Sequence, residues 1–274
     1  MPTIPPEPAV PRAPEPHTHR DVAESFGVDA ARYDRTRPRY PEAAMRRIVA
    51  ATPGAERRVL DIGCGTGISA RLLQAAECTV LGVEPDARMA EFARGTGVDV
   101  EIGTFETWDP VGREFDIVTA GQAWHWVDPV IGAAKAADVL RPEGRFAAFW
   151  NVADAPSEVT EAFIAAYQRM LPDSPFDPAA MRRGASGSGP VTDRAVEGLR
   201  KSGRFTEPEV WRFEWEQPYT RAEYLDLLPS QGTLTRLAPE PLARVLDEVG
   251  SAIDALGGVA VVRYTTVVIT TTRS

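Results

Sequence analysis

Histidine is scarce in this chain. Of three in 274 residues, His17 and His19 stand in a proline-rich stretch near the start, which leaves His125 as the one imidazole in the body of the protein. No spacing of His, Cys, Asp or Glu suggests a metal site, so a metal-dependent chemistry is not expected. Cysteine is nearly absent too: Cys64 and Cys78 cannot make a disulfide framework, and Cys64 lies inside a glycine-rich turn, so both read as reduced thiols of a cytoplasmic protein. No run approaches the ~18 apolar residues that a membrane-spanning helix needs. The opening "MPTIPPEPAVPRAPEPHTHR" has neither an apolar nor a basic leader segment, so no signal peptide is expected. Lysine occurs twice, as Lys135 and Lys201, and nearly all positive charge is arginine. The net charge of −9 opposes the phosphate attraction behind most nucleic-acid binding, so neither nucleic acid nor membrane is expected as a partner. Oligomeric state leaves no signature.

What is present suits one large domain, or one domain with an inserted subdomain. Prolines over residues 1–16 predict a disordered tail. Residues 17–50 read as a helical lid interrupted at "RPRYP", where Pro38 and Pro41 force extended backbone. Six arginines between Arg32 and Arg47 are either a solvated helical surface or an anion-binding entrance. Over residues 51–152, β-rich runs ("RRVLDIG", "TVLGVE", "VDVEIGT", "FDIVTAG", "FAAFWN") alternate with helical ones, with "RPEGR" as the turn before the last. That rhythm predicts an α/β fold with a doubly wound, mostly parallel sheet covered on both faces. Residues 153–256 read as a cap with remaining core elements: "SEVTEAFIAAYQRML" as a helix, "PDSPFDPAAMRRGASGSGP" as a mobile loop, then a helix with Thr192 as N-cap and Gly203 as its stop. "EVWRFEWEQ" alternates like a strand, and the β-branched residues of 257–274 predict a final strand completing the sheet.

The first strand runs into "VLDIGCGTGISA". Gly63, Gly65 and Gly67 allow close backbone approach to a ligand, and the next helix points its free amides there. Glu84 closes the second strand about twenty residues on, where a carboxylate can accept both ribose hydroxyls. The turn also fits a nicotinamide fingerprint, but Asp61, two residues before the first glycine, would repel a pyrophosphate and attract a cationic ligand. S-adenosylmethionine has an adenosine for Glu84 and a positive methionine end, with no phosphate.

"VLDIGCGTG", "GVEPDARMAEFA", "GTFETWD", "FDIVTAGQAWHWVD" and "VLRPEGRFAAFWN" together resemble, in order and spacing over residues 20–152, the successive motifs of class I S-adenosylmethionine-dependent methyltransferases. "YDRTRPRYP" with "HW" is most similar to the small-molecule branch of trans-aconitate methyltransferase-like enzymes. The resemblance implies a seven-stranded Rossmann-like sheet with a helical cap, S-adenosylmethionine as cofactor and a small-molecule acceptor. It implies that Gly63, Cys64, Gly65 and Gly67 shape the methionine loop, that Asp61 lies near the methionine amino group, and that Glu84 holds the ribose. Pro85 and Met89 would pack near the adenine; Thr104 stands where many relatives have an aspartate, so Phe105 and Glu106 share that duty. Gly121 and Gln122 would border the cofactor at the end of the fourth strand, with Tyr33 and Arg37 closing over its methionine end. Arg37 would otherwise meet an anionic acceptor.

Methyl transfer is an in-line displacement that depends on positioning and needs a base only when the acceptor must lose a proton. His125 is then the candidate base, an acceptor-binding group, or an imidazole held by backbone beside aromatic packing. Trp124 and Trp150 are candidates for the acceptor wall; Arg182, Arg183, Tyr219, Tyr224 and Arg236 are weaker ones. Two rivals stand beside this reading: a noncatalytic or repurposed methyltransferase fold, and a NAD-dependent oxidoreductase.

Overall fold

The computed structural model describes residues 25–54, 57–172, 174, 178–183, 189–232, 234–235 and 237–274, without the side chains of 25, 180 and 183. The expectations for residues 1–16, for His17, His19 and Arg236, and for the Arg183 side chain fall outside these.

Seven strands form one sheet in the order β3-β2-β1-β4-β5-β7-β6. They are β1 (Arg57–Ile62), β2 (Cys78–Glu84), β3 (Asp99–Ile102), β4 (Phe115–Gly121), β5 (Leu140–Asp154), β6 (Glu209–Thr220) and β7 (Val259–Thr272). The first five pair in parallel; β7 runs antiparallel to both β5 and β6. Strand side chains alternate between two cores. Leu60, Ile62, Val118, Phe146 and Trp150 face helices α5 (Pro129–Val139) and α7 (Pro190–Ser202). Val59, Ile117, Ala147 and Phe149 face α2 (Glu42–Ala50), α3 (Ile68–Ala75) and α4 (Ala87–Gly95), reached by Met45, Ile48, Leu73 and Ala90. Burial on both faces explains why β1 and β4 read as apolar runs rather than alternating strands.

A third core makes the cap. There α6 (Ser157–Met170), α8 (Arg221–Leu227) and α9 (Pro239–Ala255) pack on the extended ends of β6 and β7. The lid begins with a 3-10 turn over Ser25–Asp29 and continues as α1 (Ala30–Thr36), whose first turn is capped by the Asp29 carboxylate accepting from the Arg32 amide at 2.9 Å. Arg32 and Arg35 both bond the Asp226 carboxylate on α8, and Arg71 pairs with Asp34 at 2.5 Å. So two arginines of the cluster fasten the lid to the cap, and Asp34 ties it to the core through Arg71.

Two local expectations are corrected. "RPEGR" is no turn before the fifth strand: β5 already pairs at Leu140 with Phe115, then bulges across Arg141–Gly144, where Glu143 takes a left-handed φ of 61°. Thr192 is not the N-cap of α7; Gly189 is, Pro190 occupies the first turn, and the Thr192 hydroxyl bonds back to the Gly189 carbonyl at 2.8 Å. The breaker-rich stretch holds a 3-10 turn, Pro178–Arg183. No helix among the described residues is long and apolar enough to cross a membrane.

Candidate functional site

The strand order reverses between β1 and β4, and a cleft opens at their carboxyl ends, where ligands of doubly wound sheets bind. The turn after β1 needs glycine for two separate reasons. Gly63 has a φ of 60°, and a Cβ there would sit 2.6 Å from that of Ala123; Gly65 has a φ of 56°, but a Cβ would meet nothing. One is a close approach as well as a backbone demand, the other a backbone demand alone.

Glu84 ends β2 with its carboxylate gripped by backbone. Oε2 accepts from the Gly65 amide at 2.9 Å and Oε1 from the Asp86 amide at 3.0 Å. Burial pushes its carboxyl up to about 7, against the opposing pull of those two amides. Asp61 is fully buried; its two oxygens accept from the Ser69 and Thr119 hydroxyls, each at 2.7 Å. Burial pushes it up to about 6. Its side chain lies behind the turn and not in the cleft wall, so it braces β1 against β4 and α3.

The cleft wall brings together Tyr33, Arg37, Gly63, Gly65, Glu84, Pro85, Met89, Thr104, Phe105, Glu106, Gly121, Gln122 and His125. Cys64, Gly67, Trp124 and Trp150 stand outside it. Cys64 packs under the turn against Gly82, Gly67 is the N-cap of α3, and Trp124 is core, 2 % exposed with its ring 4.6 Å from that of Phe146. Gln122 is a strained residue: with φ of 54° it donates its amide to the Phe149 carbonyl at 2.8 Å.

His125 sits in a 3-10 turn, Trp124–Trp126, immediately after β4. The Trp150 indole Nε1 donates to His125 Nδ1 at 3.2 Å. Burial alone pulls the imidazole down to about 4, so it is neutral at physiological pH. Arg37 lies over the rings of Tyr33 (4.8 Å) and Phe26 (5.6 Å), and donates Nη2 to the Ser230 carbonyl at 2.9 Å. Its Nε is buried with no partner among the described residues.

A second cavity of about 610 Å³ opens between lid, core and cap, and shares Phe26, Arg37, Gln122 and Trp126 with the cleft. Asn151, Gln231, Tyr167 and Tyr264 complete much of its wall, and Arg37 is the only formally charged side chain described there. The weaker candidates are engaged elsewhere: Arg182 pairs with Glu161 at 2.6 Å, the Tyr219 hydroxyl bonds that of Tyr264 at 3.1 Å, and Tyr224 is buried in the cap core. No cluster of metal-ligating side chains occurs among the described residues.

Sequence reasoning does not single out Phe26, Ile62, Val83, Ala123 or Val127, all of which line the cleft. Ile62 and Val83 flank motif residues and were within reach. Phe26 had one signal, an aromatic seven residues before Tyr33, and the two rings meet at 5.9 Å.

The profile of a methyltransferase domain family matches residues 33–175. An uncharacterized methyltransferase of Mycobacterium tuberculosis is 38% identical over 140 residues, covering 50% of this chain and 56% of that one. A malonyl-[acyl-carrier protein] O-methyltransferase of Hahella chejuensis is 29% identical over 131 residues, covering 45% and 47%. The chain thus spans about half the length of the curated relatives it matches. A solved structure from Anaeromyxobacter dehalogenans, described as a candidate type II methyltransferase, is 23% identical with a TM-score of 0.59, covering 85% of this chain and 97% of that one; it shows the fold.

Proposed function

Because the chain belongs to the methyltransferase domain family, of the class I S-adenosylmethionine-dependent type, we propose that it binds S-adenosylmethionine in the cleft and methylates a small-molecule acceptor in the adjoining cavity. The observation that carries this reading is Glu84, whose two oxygens are fixed by backbone amides at the switch point with lone pairs left for a ribose. The cleft fits the cofactor in charge as well: Glu84 and Glu106 face it, which suits a sulfonium and disfavours a pyrophosphate. At the cleft floor the backbone is packed close, since a Cβ at Gly121 would meet the Phe149 ring at 2.7 Å and one at Gly63 the Ala123 side chain at 2.6 Å.

S-adenosylmethionine supplies, when bound, a methyl group on a positively charged sulfur. The chain's own residues supply the rest. Glu84 fixes the sugar, Thr104 and Phe105 border the base, and Tyr33 and Arg37 on the lid close the site against water. Gln122, held rigid by its strained backbone and the Phe149 carbonyl, stands at the junction of cleft and cavity. With Arg37 as its one charge among the described residues, the cavity suits an acceptor with a carboxylate or hydroxyl oxygen better than a cationic amine. The similarity of "YDRTRPRYP" with "HW" to trans-aconitate methyltransferase-like enzymes supports an acceptor of this kind.

The test is calorimetry with S-adenosylhomocysteine, then turnover of small carboxylates and phenols. Binding with methylated product supports the reading. Binding without product from any acceptor favours a repurposed fold, and tight NAD binding in place of S-adenosylhomocysteine overturns the cofactor assignment.

A further inference from the structure

His125 has the position expected of a base but not the lone pair. An indole N–H is a donor only, so a ring nitrogen 3.2 Å from Trp150 Nε1 must be the unprotonated one. Nδ1 is therefore the acceptor, and the neutral imidazole carries its proton on Nε2. Adding a second proton at Nδ1 would set two N–H groups against each other and leave the buried indole unpaired. Nε2 has no hydrogen-bond partner among the described residues, and the ring lines both the cleft and an outer groove between α5 and α7.

Resting on the methyl-transfer reading, we propose that Trp150 is a positioning residue that locks His125 as the Nε2–H tautomer, making His125, in the cleft wall, a hydrogen-bond donor to the acceptor where it reaches from the cavity into the cleft, and not its general base. The acceptor then arrives with its lone pair free, as a carboxylate or another oxygen anion. The balance needs no proton at His125. The acceptor oxygen contributes the electron pair of the new O–CH3 bond, the sulfur–methyl pair stays on sulfur, and the two opposite charges cancel. Nε2–H has the polarity to hold the second oxygen of such an anion, orienting it without occupying the attacking lone pair.

The surroundings of the ring agree. Trp126 covers it, ring to ring at 4.7 Å. Groove-side charges are Asp128, Arg194, Glu197 and Lys201; cleft-side ones are Glu84, Glu106 and Arg37 with the Tyr33 phenol. Among the described side chains, only the Trp150 indole hydrogen-bonds the imidazole, and desolvation keeps it neutral.

Nitrogen NMR of the 15N-histidine-labelled full chain, with and without S-adenosylhomocysteine, tests the tautomer without turnover. His125→Gln assigns the signal. The expected result is a pyridine-type Nδ1 and a pyrrole-type Nε2 that do not change between pH 5.5 and 8. In Trp150→Phe, Nδ1 loses its donor, so the Nδ1–H tautomer should become populated, while burial keeps the ring neutral over that range. A pyrrole-type Nδ1 in the wild type would overturn the proposal, as would a wild-type kcat/KM profile with an inflection that His125→Gln removes. In turnover, His125→Ala should cost about 100-fold in kcat/KM, and His125→Gln, which keeps an N–H donor, should recover about tenfold of it. Equal losses in both variants would also overturn the proposal. If no acceptor is ever methylated, the proposed function fails while the NMR result still decides the tautomer.

Discussion

The cleft and the cap cavity share four wall residues and are built on opposite plans. The cleft is shaped by backbone: glycine turns at the end of β1, amides closed on Glu84, and a buried carboxylate, Asp61, bracing the turn from behind. Its charge is acidic except for Arg37 at the rim. The cavity is shaped by side chains from the lid, β5, α6, β7 and the loop after α8, and Arg37 is its only described charge. A site made by backbone is insensitive to side-chain drift and serves an invariant ligand. A site made by side chains can be re-cut for each acceptor.

The largest effect should come from the cleft's anchor. Glu84→Ala removes the acceptor of two backbone amides and, on the proposed reading, of the ribose hydroxyls. S-adenosylhomocysteine affinity should fall by about 100-fold or more in calorimetry. A loss under threefold would move the cofactor out of this cleft. Next comes the turn itself. Gly65→Ala bears only the left-handed φ penalty, about 1–2 kcal/mol, whereas Gly63→Ala adds the Ala123 contact and should cost about 2–4 kcal/mol of stability. Thermal unfolding of the two ligand-free variants measures the difference, and equal losses would mean that the close approach at Gly63 is relieved by movement of Ala123.

The same division explains what the sequence makes legible. Strands β1 to β4 and their glycines are short-range features: Gly63, Gly65 and Glu84 lie within 22 residues of one another, and their types follow from local backbone and a single ligand. The cavity gathers Phe26, Asn151, Tyr167, Gln231 and Tyr264 from across the chain, and no local pattern marks such a set. Asp61 was legible as a carboxylate of the β1 turn but not as one held by Ser69 and Thr119, since only tertiary packing brings those hydroxyls to its oxygens. "WHW" was legible as a site-edge motif, while the Trp150 partner that fixes its tautomer comes from a different strand. β5 was misread at its start because a bulge with a left-handed Glu143 looks, in sequence, like a turn.

Arg37 belongs to both regions, so its replacement weighs one against the other. Arg37→Met keeps an apolar side chain beside Tyr33 and Phe26 but removes the charge, its contacts with the rings and the bond to the Ser230 carbonyl. For an anionic acceptor, KM should rise about tenfold, with a smaller loss of S-adenosylhomocysteine affinity. The reverse ranking would assign Arg37 to the cofactor alone and leave the cavity without a charge preference.

The smallest effect is the dependence of cofactor affinity on pH, and its sign follows from Glu84. In the free protein this carboxyl titrates at about 7 instead of the ordinary 4.5, because burial disfavours its charge. Ribose hydroxyls donate to the ionised form, so binding should pull the value down and release a proton. Affinity should rise by several-fold from pH 6 to 8, and the heat should differ between buffers of unlike ionisation enthalpy. The ligand-free fold should respond in the opposite sense. Between about 4 and 7, Asp61 and Glu84 hold more protons folded than unfolded, so these two groups contribute stability at low pH that is lost as pH rises through their folded values of about 6 and 7. Thermal scans of wild type against Glu84→Gln, which cannot titrate there, isolate that contribution. Parallel pH profiles in the two proteins would show that Glu84 is already charged in the ligand-free cleft, and the predicted proton release would vanish with it.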